Sequence, residues 1–206
     1  MSTHSEGFQT NSGSTILVTG GARSGKSSFA ERLVGKLGAE SGRPIVYIAT
    51  AQIHDDEMAS RIAGHRDRRP PGWKTVESPY DLEETVKELY SRPVGAVLID
   101  CVTMWLSNLL LIPGPMGEEQ WMKPEASELI LHRAEALVRL LKTAPFPSVL
   151  VTNEVGHSLV PEYPLGRVYR DLAGRVNQAL ANCADDVFYV VCGIPINLRQ
   201  MAWRPD

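Results

Sequence analysis

Residues 16–27 read ILVTGGARSGKS, an apolar run followed by a glycine-rich turn that ends in lysine and serine. The turn fits the P-loop pattern, in which Gly20 is followed by four residues and then by Gly25, Lys26 and Ser27. This pattern binds phosphate because glycines let backbone N–H groups turn inward and because the following helix contributes its positive N-terminal end. The alternative is a chance Gly-Lys-Ser in an ordinary glycine-rich turn. The predicted strand before the turn and the predicted helix after it argue against this alternative. The stretch therefore predicts a nucleoside triphosphate site.

Two oxygen-bearing side chains are candidate ligands of Mg²⁺, the usual partner of a bound triphosphate. The Ser27 hydroxyl follows Lys26, whose ammonium would reach the β- and γ-phosphates. Asp100 ends the apolar run VGAVLID, so it falls at the carboxyl end of a strand, where open α/β sheets bind ligands. The alternative role for Asp100 is a helix N-cap, and we interpret it as a metal ligand. Glu154 follows a further apolar run and is either an acceptor for a hydroxyl proton or a solvated loop residue.

Composition excludes several classes of protein. The chain has 206 residues, 43% hydrophobic and 22% charged, as expected of a globular domain. A formal net charge of −3 provides no field that would attract nucleic acid. The three cysteines include no CxxC pair, which indicates ordinary thiols in a reducing cytoplasm. No apolar run reaches the ~18 residues of a membrane span. We expect a flexible polar leader over residues 1–14 and a single domain over residues 15–206.

Apolar runs and helical patterns alternate along the chain. The predicted strands are Ile16–Thr19, Ile45–Ile48, Val94–Ile99, Val149–Thr152 and Val187–Val191. The predicted helices are Ser27–Leu37, Asp55–Arg66, Met104–Leu111, Glu125–Lys142 and Leu165–Cys183. Continuously apolar strands are typical of a parallel sheet covered on both faces. The alternation therefore predicts an α/β, doubly wound fold with helices on both faces of a mainly parallel sheet.

One histidine stands beside a basic cluster. His65 is followed by Arg66, Arg68 and Arg69. Neutral imidazole is a nucleophile, and neighbouring guanidiniums would favour its neutral form and bind the phosphates under attack. This arrangement suits attack on an α-phosphate to form a histidine-linked nucleotide. The alternative is a histidine that packs or caps at the end of a helix beside a solvated basic turn. The residues by themselves favour this alternative.

Six blocks together resemble one family. They are GGARSGKS, YIATAQIHDDEMASRIAGHRDRRP, LIDCVT, VTNEVG, VP and RDLAGRVNQALA, in order between about Ile16 and Ile194. These blocks resemble the bifunctional adenosylcobinamide kinase/adenosylcobinamide-phosphate guanylyltransferases of cobalamin biosynthesis. The P-loop is shared with many families, whereas the second and last blocks are far more specific. The resemblance covers nearly the whole chain.

The resemblance implies a P-loop NTPase fold of RecA type and two reactions that use ATP and GTP with Mg²⁺. In the first reaction, a nucleoside triphosphate phosphorylates the aminopropanol hydroxyl of adenosylcobinamide. In the second, GTP transfers GMP to a histidine with loss of pyrophosphate, and cobinamide phosphate accepts the GMP to give adenosylcobinamide-GDP. The family's nucleotidylated histidine is matched here by His65. The corrinoid and the nucleotides would be the partners, and the family's symmetric assemblies imply a homo-oligomer, expected as a trimer.

The family's site residues carry over to matching positions. His65 and Lys26 would be catalytic, and Ser27 with Asp100 would hold the metal. The implied nucleotide-binding residues are Gly20, Gly21, Ala22, Arg23, Ser24, Gly25, Lys26, Ser27, Ala49, Thr50, Ala51, Arg66, Asp67, Arg68, Arg69, Glu77 and Asp100. The chain departs from the pattern at Gly64, where some members carry a second histidine. The leader and the Pro113–Trp121 stretch have no clear counterpart.

Two other functions share the P-loop. A kinase of another small alcohol or nucleotide would keep Lys26, Ser27 and Asp100 but give His65 no essential role. A nucleotide-binding regulatory protein would behave as a switch and present a surface for a partner. The concentration of polar residues at strand ends and the lack of an interaction tail argue against a switch.

Overall fold

The computed structural model describes residues 13–52, 64, 69–112 and 120–203. Most of the leader, the helix predicted over residues 55–66 and most of the 113–121 stretch lie outside the described residues. The strands are β1 (Thr15–Thr19), β2 (Ile45–Ala49), β3 (Lys74–Glu77), β4 (Ala96–Asp100), β5 (Ser148–Val151), β6 (Asp186–Val191) and β7 (Ile194–Asn197). The helices are α1 (Lys26–Ser41), α2 (Leu82–Leu89), α3 (Val102–Leu110), α4 (Pro124–Thr143), α5 (Pro164–Cys183) and α6 (Leu198–Met201).

The described strands form one seven-stranded sheet in the order β3-β2-β4-β5-β1-β6-β7. Every neighbouring pair is parallel except β6 and β7, which pair antiparallel at one edge. The chain moves from β1 to β2 in one direction and from β5 to β6 in the other, so the sheet is doubly wound. The predicted α/β doubly wound fold, with a mainly parallel sheet and helices on both faces, is confirmed.

Side chains alternate between the two faces of each strand, and this alternation divides the core. On β1, Ile16 and Val18 point to one face and pack with Ala30 and Val34 of α1. Leu17 points to the other face, whose cluster is completed by α2, α3, α4 and α5. Helices thus bury both faces of the sheet, which explains why the central strands are continuously apolar.

The five predicted strands and the four predicted helices in the described residues are all present, with ends shifted by a few residues. The prediction missed β3 and β7, which lie at the two edges of the sheet and are largely exposed. An edge strand needs no continuous apolar run, and β7 contains Pro195, a residue confined to such positions. It also missed α2, although Leu82, Val86 and Leu89 are buried at the spacing of one helical face.

Parallel strands bring their carboxyl ends to one edge of the sheet. The turn after β1, the residues after β2, the end of β4 and the loop after β5 all lie at this edge. No helix in the described part of the chain is long and apolar enough to cross a membrane.

Candidate active site

The turn after β1 has a backbone that only glycine fits. Gly20 has φ +146° and Gly25 has φ +96°, both in the region that side chains disfavour. A Cβ at Gly20 would lie 2.4 Å from the carbonyl oxygen of Val190. Gly25 is the N-cap of α1, which begins at Lys26. The glycines therefore close a tight loop that ends at a helix N-terminus, the geometry expected of a phosphate site.

Neighbouring segments hold this loop from both sides. The N–H of Glu154, after β5, donates to the Gly20 carbonyl at 3.0 Å. The N–H of Gly193, between β6 and β7, donates to the Ser24 carbonyl at 2.8 Å. In both bonds the acceptor is a carbonyl of the loop. A free carbonyl oxygen facing the site would repel phosphate, and these two are bonded within the protein instead. The loop is consequently braced in one conformation.

Lys26 is buried at the first position of α1. Its Nζ donates to the carbonyl oxygen of Gly21 at 2.6 Å, which takes one of three donors on the ammonium. Burial lowers the pKa of Lys26, and the charges of Cys101 and Asp100 oppose this effect. An ammonium taken out of water in this way is stabilised by added negative charge, such as a triphosphate.

Asp100 is the last residue of β4 and faces α1, as Leu98 does. Its Oδ2 accepts a hydrogen bond from the Tyr47 hydroxyl at 3.1 Å. Burial, with the Asp100 charge as the next cause, raises the pKa of Tyr47 far above its ordinary value, so the phenol stays a donor. The N-cap of α3 is Cys101 and not Asp100. The alternative role of Asp100 as a helix cap is therefore wrong for this chain.

Thr50 lies next to Asp100 and is fully buried. Its hydroxyl donates to the Cys101 carbonyl at 2.7 Å and accepts from the Cys101 N–H at 2.8 Å. The Thr50 carbonyl accepts from the Asn108 side chain at 2.8 Å. Thr50 was predicted to contact nucleotide. In the structure, its hydroxyl and its carbonyl form hydrogen bonds within the protein, and the hydroxyl holds the backbone of Cys101, the residue after Asp100. Sequence reasoning missed Asn108, which stands in no motif, and Cys101, although Cys101 stands in the block LIDCVT.

A second buried network lies behind the loop after β5. The Thr152 hydroxyl bonds to Asn177 Oδ1 at 2.7 Å, and Asn177 Nδ2 donates to the Asn153 carbonyl at 3.0 Å. Asn153 Nδ2 donates to the Thr103 hydroxyl at 2.8 Å. The Tyr169 hydroxyl donates to the Thr103 carbonyl at 3.1 Å, and burial raises the pKa of Tyr169 to about 12. These residues were not predicted as a group, although Asn177 stands in the family-specific block RDLAGRVNQALA.

Glu154 bonds within its own loop. Its Oε1 accepts the N–H of Gly156 at 2.8 Å, while its backbone braces the phosphate loop as described above. The carboxylate is partly exposed. This contact gives Glu154 a structural role at the mouth of the site. A role for Glu154 toward the substrate hydroxyl stays a prediction.

Among the residues carried over from the basic turn, Arg69 is described. Its guanidinium carbon lies 3.4 Å from the centroid of the Tyr47 ring, and its Nη1 donates to the Thr75 hydroxyl at 3.1 Å. Arg69 is thus linked through Tyr47 to Asp100. Glu77 is exposed at the end of β3 and pairs in register with Ala49. The predicted residues His65, Arg66, Asp67 and Arg68 lie outside the described residues.

The donors at this edge suit Mg²⁺. The described residues include no group of three or more His, Cys, Asp or Glu that could hold a metal by themselves. Mg²⁺ is commonly bound by one or two protein oxygens together with substrate phosphates and water. Ser27, half-buried at the start of α1, and Asp100 provide such oxygens beside the phosphate loop.

Comparisons with known proteins give one consistent result. A profile of the family described as cobinamide kinase / cobinamide phosphate guanyltransferase matches residues 16–198. The bifunctional adenosylcobalamin biosynthesis protein CobU of Salmonella typhimurium is 45% identical over 185 residues, which cover 89% of this chain and 99% of that protein. The protein of the same name in Escherichia coli is 44% identical over 185 residues, with the same coverage.

A further relative is the bifunctional adenosylcobalamin biosynthesis protein CobP of Pseudomonas aeruginosa, 42% identical over 183 residues that cover 89% of this chain and 96% of that protein. Among solved structures, a KaiC-like protein of Pyrococcus horikoshii matches 86% of this chain and 71% of its own, with a TM-score of 0.47 at 16% identity. The profile and the three relatives agree over nearly the full length of each protein. The chain therefore belongs to the cobinamide kinase / cobinamide phosphate guanyltransferase family and is an enzyme of that family.

Proposed function

We propose that this chain catalyses two consecutive reactions on a corrinoid. A nucleoside triphosphate first phosphorylates the hydroxyl of adenosylcobinamide, and GTP then transfers GMP through His65 to the resulting phosphate, giving adenosylcobinamide-GDP. Family membership supports the pair of activities. The observation that carries the proposal is the buried Lys26 ammonium in a braced phosphate loop, within the field of the Asp100 carboxylate.

The kinase step needs positioning and neutralisation of charge more than covalent help. Lys26 would turn from the Gly21 carbonyl to the β- and γ-phosphates, and the N–H groups of the loop would hold the remaining oxygens. Ser27 and Asp100 would hold Mg²⁺, which neutralises charge on the phosphates and orients them. The substrate hydroxyl oxygen would then attack the γ-phosphorus and lose its proton to solvent, while the bond to the β–γ bridging oxygen breaks and the nucleoside diphosphate leaves.

The guanylyl step uses a nucleophile on the protein. A neutral nitrogen of His65 would attack the α-phosphorus of GTP, and pyrophosphate would leave. A phosphate oxygen of cobinamide phosphate would then attack the same phosphorus and release the imidazole. Arg66, Arg68 and Arg69 would neutralise the phosphates. The stacking of Arg69 on Tyr47, which bonds to Asp100, supports a basic turn that adjoins the phosphate loop.

The remaining predicted positions form part of the same proposal. Ala49 ends β2 and Ala51 follows it, at the edge of the sheet where the phosphate loop lies, and Glu77 ends the neighbouring strand. We assign them to the GTP site, together with Asp67. The homo-oligomer, expected as a trimer, stays a prediction that light scattering on the purified protein would test.

A labelling experiment tests the covalent step. The protein is incubated with GTP labelled at the α-phosphate, quenched in acid or in base, and separated from free nucleotide. A phosphoramidate on histidine is labile in acid and stable in base, so label should survive only the basic quench. Lys26→Ala, which weakens triphosphate binding, should reduce the label. No protein-bound label in either quench would refute the covalent step and favour a simple P-loop kinase.

A further inference from the structure

Two exposed apolar surfaces flank the phosphate loop. One is the β5 loop, defined here as residues 155–163, in which Leu159 is 93% exposed, Val160 63% and Tyr163 64%. The other is the hairpin of β6 and β7, in which Ile194 is 64% exposed. Large apolar side chains that cluster on a surface mark a place where another molecule binds. Neither surface is used by the chemistry derived above.

The backbone of the β5 loop is held at residues 161–163, directly after Leu159 and Val160. Arg167 Nη1, from α5, donates to the carbonyls of Pro161 at 3.0 Å and Glu162 at 2.6 Å. Pro161 and the Tyr163 ring pack on Gly166, where an added Cβ would lie 2.7 Å from Pro161 Cβ and 2.8 Å from Tyr163 Cε2. A surface that is already ordered loses little entropy when it binds a ligand. The loop thus has the properties of a preformed binding surface.

The strand order distinguishes the two surfaces. β5 lies between β1, which leads into the phosphate loop, and β4, which ends at Asp100. The chain that leaves β5 therefore emerges between the phosphates and Asp100, and the Glu154 N–H at its start bonds to Gly20. The β6–β7 hairpin lies on the opposite side of β1, away from Asp100. A molecule bound on the β5 loop therefore lies near both the phosphate loop and the Asp100 end of β4, whereas one bound on the hairpin lies near the phosphate loop alone.

We propose that Leu159, Val160 and Tyr163 form the docking surface for the corrinoid acceptor. This inference rests on the proposed function, because it takes the acceptor from there. The acceptor is a broad macrocycle whose edge carries methyl groups as well as amide side chains, and it is far larger than the reacting hydroxyl. A rigid apolar platform beside the phosphate loop can bind that edge and leave the hydroxyl, or later its phosphate, in reach of the nucleotide. The same platform serves both reactions because the macrocycle is unchanged between them.

The test replaces exposed apolar side chains without disturbing the core. In Leu159→Asn/Val160→Asn, we expect the Kd for cobinamide, measured by equilibrium dialysis with the corrinoid's own absorbance, to rise about tenfold or more. The KM for cobinamide should rise in parallel. The KM for ATP and covalent labelling by GTP should stay within about twofold of wild type. The matched control is Ile194→Asn, which removes a side chain of similar exposure from the other surface and should leave cobinamide binding unchanged.

Three results would overturn the proposal. Unchanged cobinamide binding in the folded double variant would show that the β5 loop does not contact the acceptor. Weaker binding in Ile194→Asn alone would place the acceptor on the hairpin. A lower molecular mass of the double variant in light scattering, with binding intact, would make the loop an interface between copies of the chain. Failure of the proposed function is distinct, because wild-type protein would then take up no label from GTP and bind no cobinamide.

Discussion

At the scale of single residues, the role of Asp100 follows from its negative charge and from its two neighbours, Tyr47 and Lys26. Asp100 accepts from Tyr47 and contributes to the field at Lys26, and it does not cap α3. Asp100→Asn keeps the shape and can still accept from Tyr47, but it removes the charge that would hold Mg²⁺. We expect kcat for the kinase reaction to fall by about 100-fold or more, with a higher Mg²⁺ requirement.

Thermal unfolding provides the control for this variant. The melting temperature of Asp100→Asn should change little, because the hydrogen bond from Tyr47 persists. A lower melting temperature with an unchanged Mg²⁺ titration would instead make Asp100 a structural residue.

Thr50 acts on the site through the backbone that follows Asp100. Thr50→Val keeps the volume but leaves the N–H and carbonyl of Cys101 without the partner they share. The free energy of unfolding should fall by about 1–3 kcal/mol. Because displacement of a catalytic group by ~1 Å can cost up to ~100-fold in rate, kcat should fall by about tenfold or more.

The conservative variant separates positioning from packing. Thr50→Ser retains the hydroxyl and should retain most of the activity, with the KM for ATP near that of wild type. Loss of kcat in the serine variant, with kcat retained in the valine variant, would mean that the methyl group matters and the hydroxyl does not.

At the scale of elements, α1 joins the phosphate loop to β2 by close packing at one glycine. A Cβ at Gly38 would lie 2.3 Å from Cγ1 and 2.4 Å from Cδ1 of Ile45, whose branched side chain has few alternative rotamers. Overpacking of this kind costs about 1–3 kcal/mol, partly offset by the higher helix propensity of alanine. We expect Gly38→Ala to lower the free energy of unfolding by about 1 kcal/mol.

The same helix contains a matched control. A Cβ at Gly35 would meet Trp73 Cζ2 at 3.8 Å, an ordinary contact. Gly35→Ala should therefore raise the free energy of unfolding by about 0.5–1 kcal/mol. Urea unfolding of both variants measures the difference, and the same sign for both changes would contradict this account of α1 packing.

At the scale of the whole molecule, one fold is proposed to carry two reactions with separable requirements. His65→Asn removes the proposed nucleophile and leaves Lys26, Ser27 and Asp100 untouched. Direct phosphorylation needs no enzyme-linked intermediate, whereas transfer through histidine cannot proceed without the imidazole. We expect the variant to lose covalent labelling and guanylyltransferase activity and to keep measurable kinase activity.

Two outcomes would change the assignment. Covalent uptake of GMP by the folded His65→Asn protein would place the nucleophile elsewhere, and the next candidate is His54, which stands in the same family block as His65. Loss of both activities in a folded protein would mean that His65 serves a nucleotide site common to both reactions.

Local sequence determined the central strands and the phosphate loop of this protein. β1, β2, β4, β5 and β6 are continuously apolar because helices cover both faces of the sheet, so burial is visible in the residues themselves. The loop needs glycine at positions of positive φ and a lysine at the start of α1, which makes its chemistry local as well. Asp100 was predictable for the same reason, since it ends a buried strand.

Only the tertiary structure decided what surrounds these residues. Strand order depends on how helices pack across the sheet, and nothing near β5 in the sequence indicates that it lies between β1 and β4. The contacts of Thr50 with Cys101 and of Arg69 with Tyr47 join residues that are distant along the chain. Strands β3 and β7, at the edges of the described sheet, are short and largely exposed, so burial leaves no long apolar run in their sequences. The phosphate loop is formed by residues that are adjacent in sequence, so the sequence reveals it. The contact partners of each side chain depend on how the whole chain packs, so only the structure reveals them.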